Sequence, residues 1–118
     1  MKAYVLRRHG KPAVLQPTDV LVPELKHEQV RVNIECIGLN YAEIMARKGF
    51  YGWAPQMPYT LGMEAYGSIE AIGDGVSARA VGDKVIIGTQ YGCYAEKFVG
   101  HWQTTAPAIE QFTPEENA

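Results

Sequence analysis

Apolar residues in this chain recur mostly at every second position, in short runs. From Gln29 to Ile37 the alternation is strict. Val30, Val32, Ile34 and Cys36 fall on one side and Arg31, Asn33 and Glu35 on the other, which predicts a strand buried on one face. Ala3–Arg7, Ala65–Ile72, Lys84–Ile87 and Cys93–Val99 read as further strands. Gly73-Asp74-Gly75 supplies the positive φ angles of a tight turn after Ala65–Ile72, and Gly82-Asp83 and Gly92 precede the last two. Prolines 12, 17, 23, 55, 58, 107 and 114 fall mainly between the runs. Many short strands punctuated by Gly and Pro predict a mainly β, barrel-like domain.

The period changes after Gly38. Asn40 suits a helix N-cap, and Glu43, three residues later, can bond back in an Asn version of the capping box. Tyr41, Ile44 and Met45 make an i, i+3, i+4 apolar stripe, Arg47 and Lys48 complement the C-terminal end, and Gly49 closes it. Two turns are too short to persist alone, so the helix is expected to dock on the sheet. Thr113, Pro114 and Glu116 form a second start signal. The chain ends two residues later at Ala118, so we expect a domain boundary there rather than a frayed tail.

Composition then narrows the function classes. A chain of 118 residues makes one domain, and a net charge of −2 gives no electrostatic case for nucleic acid or an anionic membrane. No apolar run approaches the roughly 18 residues of a membrane span. The start, MKAYVLRRHG, lacks the apolar core of a secretion signal, so a cytoplasmic protein is expected. Cys36 and Cys93 have no Cys or His at zinc-ligand spacing, the nearest His to Cys93 being His101. Both are expected to be buried, inert thiols rather than a disulfide. His9, His27 and His101 stand alone in polar stretches and are expected on the surface.

Gly73-Asp74-Gly75-Val76-Ser77-Ala78 fits the dinucleotide pattern G-x-G-x-x-A and follows a predicted strand. Such a loop must open a helix whose N-terminus holds the pyrophosphate, whereas here Gly82-Asp83 and another strand follow. A hairpin turn is the better reading. With Ser68 and Ser77 the only serines and no nucleophile motif, serine hydrolase chemistry is unsupported. Glu43 and Glu64 can be read as a paired acid and base, but a cap and a buried charge partner are simpler roles. Tyr41, Phe50, Tyr51, Trp53 and Tyr59 either line a pocket for a planar substrate or fill the space between helix and barrel; composition alone favours filling.

The order of these motifs (GLNYAEIMARKGFY, P-x-x-x-G-M-E-x-x-G, GDGV, VGDKV, GCYAEKFV) resembles the N-terminal GroES-like domain of the medium-chain dehydrogenase/reductase superfamily. The branch it looks most like is the zinc-independent quinone oxidoreductases, including the relatives named after a synaptic vesicle membrane protein. The resemblance covers nearly the whole chain, most specifically Gly38 to Val99. It implies a distorted, mostly antiparallel barrel over residues 1–118, followed in the family by a Rossmann domain that holds the dinucleotide. The zinc alcohol dehydrogenases of the superfamily carry a Cys where Asn40 stands, a His where Met63 stands and a structural zinc lobe for which this sequence has no room before Gly92-Cys93. An amide and a thioether are poor zinc ligands beside thiolate and imidazole, so no metal is expected.

The resemblance further implies NADPH as cofactor, bound mainly by the domain that follows, and hydride transfer to a quinone or an activated alkene (an enone). Asn40 and Tyr51 are the catalytic candidates. Asn40 would hydrogen-bond the nicotinamide amide, which makes it the cofactor-binding candidate at the nicotinamide end, or the acceptor carbonyl. Tyr51 would bond or stack on the acceptor, and Tyr41 and Met45 would shape the substrate wall. Many relatives carry Tyr at the Met45 position and Asp at Glu43. A homodimer is implied for the whole protein, and the domain alone is expected to be inactive. Two rivals belong to other classes: a self-sufficient GroES-like binding module, and a lipid- or vesicle-associated factor without reductase activity.

Overall fold

The computed structural model describes residues 1–118. The strictly alternating run becomes the longest strand, and the others assemble around it. In chain order the elements are β1 (Lys2–Leu6), β2 (Gln16–Asp19), β3 (Gln29–Gly38), α1 (Tyr41–Lys48), β4 (Tyr59–Thr60), β5 (Glu64–Ile72), β6 (Lys84–Gly88), β7 (Lys97–His101), β8 (Thr105–Pro107) and α2 (Pro114–Asn117). They form a five-stranded sheet ordered β7-β3-β5-β6-β8 and a three-stranded sheet ordered β2-β1-β4. Every pairing is antiparallel. The mainly β, barrel-like expectation holds.

Alternation along β3 gives the core. Val30 and Val32 are fully buried, with Ala65, Ile69, Val85, Ile87, Cys93 and Phe98 around them, while Asn33 and Glu35 face solvent. Register shifts between Arg31/Val32 and Ile34/Cys36 bend the β3–β5 pair. On either side of the second shift the alternation loses its depth, and Ile34 and Cys36 are only half-buried. The expectation of two buried thiols is thus corrected: Cys93 is buried, Cys36 is not. Gly67 sits at this bend because a Cβ there would come 2.2 Å from the Asn33 carbonyl oxygen. A smaller cluster of Leu6, Ala46, Tyr59 and Leu61 lies under α1.

The predicted strand Cys93–Val99 begins only at Lys97. Its first residues are used differently. Cys93 N–H bonds the Gly62 carbonyl at 3.1 Å, Tyr94 N–H bonds Leu61 at 2.7 Å, and the Tyr94 carbonyl accepts from Tyr4 N–H at 2.8 Å. This segment stitches the small sheet to the 61–62 turn instead of extending β7. Strands β2 and β8 were not legible because each contains a proline, Pro17 and Pro107; both lie at sheet edges, where a missing N–H is tolerated.

After β5 the chain turns at Gly75, at φ +84°, and leads into β6 with no helix between. Gly73 N–H and the Asp74 carbonyl bond back to Gln29 and Glu28, both at 2.7 Å. The turn reading of the Gly-rich segment therefore stands, and the segment has no helix N-terminus for a pyrophosphate. At the other end, α2 is a single turn that stands because its capping box closes, Glu116 N–H on Thr113 Oγ1 at 3.1 Å and Thr113 N–H on Glu116 Oε1 at 2.9 Å. Buried Asn117 ties it down by bonds to both backbone groups of Ile109.

Candidate functional site

Helix α1 is inverted relative to the reading of its stripe. The face it turns inward carries Glu43, Ala46 and Arg47, whereas Tyr41 is 69% exposed and Ile44 39%. A helix that buries charges must satisfy them. Arg47 donates to the Gly10 carbonyl at 2.6 Å, and Gly10 N–H returns to the Arg47 carbonyl at 2.9 Å. Glu43 is 5% exposed and takes its hydrogen bonds from neutral donors. Its Oε2 accepts from Asn40 N–H at 2.8 Å, closing that half of the capping box, and its Oε1 accepts from Met63 N–H at 2.9 Å. The Tyr94 hydroxyl also donates to Oε2. Glu43 is the cap the spacing predicted. It is not half of a charge pair, and Glu64, which is exposed, does not share its site. Gly49, at φ +89°, ends the helix as expected.

The N-terminus of α1 and the 61–64 turn face one another. Asn40, Tyr41 and Met63 line the open cleft between them, about 360 Å³, with Glu64, Gly88 and Thr89 on its far side. The Asn40 side-chain Nδ2 is buried without a hydrogen-bond partner, as is the Tyr59 hydroxyl. Tyr51 stands next door, in a narrow crevice with Tyr59 and Leu61 that shares Ala42 and Met63 with the cleft. Met45 is half-buried and lines neither, so the structure brings Asn40, Tyr41 and Met63 together, puts Tyr51 beside them, and leaves Met45 out. Of the five aromatics, Tyr59, with Tyr51 packed against its cluster, fills the space under α1 as composition favoured, whereas Tyr41, Phe50 and Trp53 do not. Phe50 and Trp53 are 72% and 74% exposed, and Tyr59 alone of the five is buried, its ring packed edge-on against Tyr91 at 5.9 Å.

Two groups near the cleft are shifted from their usual acidities. Burial, reinforced by the Glu43 carboxylate, pushes the Tyr94 hydroxyl far up, so it stays a donor. Burial and then Glu43 and Glu64 raise the Cys93 thiol to about 12. Cys93 is thus an inert thiol, as expected. The cleft offers an amide, a thioether and one carboxylate, which is a poor donor set for zinc, and no three His, Cys, Asp or Glu side chains cluster anywhere in the chain to hold a metal. Of the histidines, His9 and His27 are on the surface; His101 is half-buried, accepts from Gln103 N–H at Nδ1 and meets Glu28 through Nε2, both at 3.1 Å. Sequence reasoning missed Tyr94 and Thr89. The sole signal for Tyr94 was its place in Gly92-Cys93-Tyr94-Ala95-Glu96, which reads as strand.

A β-domain with this connectivity and a cleft beside a capped helix defines a class. The chain belongs to the family of alcohol dehydrogenase GroES-like domains, whose model matches residues 26–110. Among its relatives, a quinone oxidoreductase of Rattus norvegicus is 39% identical over 112 residues, covering 93% of this chain and 34% of that protein. A synaptic vesicle membrane protein VAT-1 homolog of Danio rerio is 46% identical over 77 residues, covering 65% of this chain and 16% of that protein. Among solved structures, the Escherichia coli quinone oxidoreductase complexed with NADPH superposes with a TM-score of 0.92 at 25% identity, over 99% of this chain and 36% of that one. The human VAT-1 homolog-like protein superposes with a TM-score of 0.94 at 27% identity, over 100% of this chain and 38% of that one. The chain thus spans about a third of the quinone oxidoreductases it matches.

Proposed function

We propose that this chain is the substrate-side domain of a zinc-independent, NADPH-dependent oxidoreductase that reduces quinones or activated alkenes by hydride transfer. The cofactor is held mainly by a nucleotide-binding domain outside these 118 residues. The observation that carries the reading is Asn40, which lines an open cleft with Met63 and Tyr41 and whose side-chain Nδ2 is buried without a partner. A buried amide N–H without a partner costs free energy until an acceptor arrives, and a carbonyl oxygen supplies one.

NADPH supplies the hydride when bound. The chain's own residues hold and orient. Asn40 Nδ2 donates to the nicotinamide amide carbonyl or to the acceptor carbonyl, favouring charge that develops on that oxygen. The Tyr51 hydroxyl donates to the acceptor from the adjoining crevice, and Tyr41 and Met63 give flat, apolar walls against which a planar ring packs and from which water is displaced. An electrophilic quinone or enone needs no Lewis acid, which agrees with an amide and a thioether where the zinc enzymes resembled here carry their ligands. The relatives named as quinone oxidoreductases support the substrate class.

The test is NADPH oxidation by the whole protein carrying this domain, against a panel of quinones and enones. Turnover is expected, and Asn40→Ala is expected to lower kcat/KM by about tenfold or more. Stoichiometric zinc by elemental analysis would contradict the site assignment. The second reading, a lipid- or vesicle-associated factor without reductase activity, is favoured by the VAT-1 likeness and by the apolar outer face of α1. Absence of turnover across the panel, together with binding to phospholipid vesicles, would put it ahead.

A further inference from the structure

The carboxylate of Glu43 is the one group that touches both walls of the Asn40 cleft. One oxygen takes the backbone N–H of Asn40, at the start of α1, and the other takes that of Met63, in the 61–64 turn, at 2.8 and 2.9 Å. These two positions are distant in sequence and lie just past the end of the β3–β5 ladder, whose last pair is Gly38 with Glu64, so beyond that pair Glu43 bridges the two walls. What holds Glu43 in place is Tyr94, whose hydroxyl donates to Oε2. Tyr94 is in turn fixed by its backbone, N–H to Leu61 at 2.7 Å and carbonyl to Tyr4 N–H at 2.8 Å. Leu61 and Tyr4 belong to the same small sheet region on which the Met63 wall is built. The chain of contacts therefore closes on itself.

We propose that Tyr94 is a positioning residue that acts through Glu43 to set the width of the cleft between Asn40 and Met63. This rests on the reading of that cleft as the substrate site. A carboxylate is needed because two backbone N–H donors face its two oxygens. A glutamine there presents one acceptor and one NH₂ donor, so one wall would meet a donor instead of an acceptor. The Tyr94 hydroxyl supplies a neutral donor whose acidity is driven too low for it to give up its proton, so Glu43 keeps a fixed partner without a buried counter-ion. Tyr94 is not among the residues that line the Asn40–Met63 cleft; it lines the neighbouring hollow, with Leu15 and Leu39, which shares Asn40 and Tyr41 with that cleft.

The test has two arms, using Tyr94→Phe and Glu43→Gln. In this chain, amide hydrogen exchange is measured at Asn40 and Met63, with core amides of β3 and β5 as the reference. Tyr94→Phe is expected to reduce protection at both sites together by about tenfold, with the core unchanged, and Glu43→Gln to reduce it further. In the whole protein with NADPH and a quinone, Tyr94→Phe is expected to lower kcat by about tenfold while KM for NADPH stays within about twofold. Unchanged protection at Asn40 and Met63, a loss shared equally by the core, or lost protection with unaltered kcat would each overturn the proposal. If the unmodified protein turns over no quinone, the functional reading fails on its own, and the exchange arm still decides whether Tyr94 sets the cleft.

Discussion

Gly62 lies so close to Tyr94 that a Cβ built on it would sit 2.4 Å from the Tyr94 backbone nitrogen. Its φ of +110° is a second reason for glycine, since L side chains rarely adopt it. Gly62→Ala is therefore expected to cost about 3 kcal/mol, combining backbone strain with a contact against main chain that cannot yield. Chemical denaturation of both proteins checks it. A change below about 0.5 kcal/mol would show that the 61–64 turn relaxes freely.

The inverted helix makes a paired prediction. Ile44 is on the exposed side and Ala46 is 4% exposed against Leu6, Tyr59 and Leu61. Ile44→Ser is expected to change stability by no more than about 0.5 kcal/mol. Ala46→Leu should destabilise by about 1–3 kcal/mol through overpacking. The reverse ranking, read from denaturant midpoints, would restore the face predicted by the stripe.

Much of the fold was legible in the sequence because the signals were local. Val30, Val32 and their polar neighbours alternate within one strand, and Gly49 and Thr113 end and begin helices by chemistry confined to a few residues. The helix face was not legible for the opposite reason. Tyr41, Ile44 and Met45 show which side of α1 is apolar, but the partners that allow Glu43 and Arg47 inside are Met63, Tyr94 and Gly10, distant in sequence. The same holds for the candidate site: Asn40 and Met63 were identified by resemblance and fall together in the cleft, whereas Tyr94 was hidden in a run that looked like strand. Met45, put on the substrate wall by the resemblance, lies outside the cleft, which Tyr41 lines from the first turn of α1.

On the outer face of the large sheet, Glu70 accepts from Lys97 and lies 3.3 Å from Arg31 Nε. The Lys97 hydrogen bond and the two positive charges hold its carboxyl below the usual glutamate range. A carboxyl with a lowered folded value binds its proton more readily when unfolded, so its contribution is complete above about pH 4.3, the ordinary glutamate value. It is lost as pH falls through the lower folded value. Stability is thus expected to decline through that acid window, and Glu70→Gln should flatten the decline. Thermal melts from pH 6 downward for both proteins measure it; parallel profiles would remove Glu70 from the account.

The two thiols should part company chemically. Cys93 is fully buried with its acidity pushed to about 12, while Cys36, raised in the same direction by burial, is only half-buried. A maleimide added at neutral pH is expected to label Cys36 slowly and Cys93 not at all until the protein is unfolded. Mass spectrometry of the labelled peptides distinguishes them. Prompt native labelling at Cys93 would mean that the segment bonded to Gly62 and Leu61 opens readily.

The prolines of β2 and β8 have a consequence beyond the strands that contain them. A sheet edge is a template on which another chain can add a strand, unless its donors are missing or its length is too small. Here β2 lacks a donor at Pro17, β8 is three residues long and ends at Pro107, and β4 has only two residues. With a net charge of only −2, long-range repulsion between molecules is weak, so resistance to self-association falls to backbone chemistry at these rims. That leaves β7 as the one border of useful length along which fibre-like growth can start.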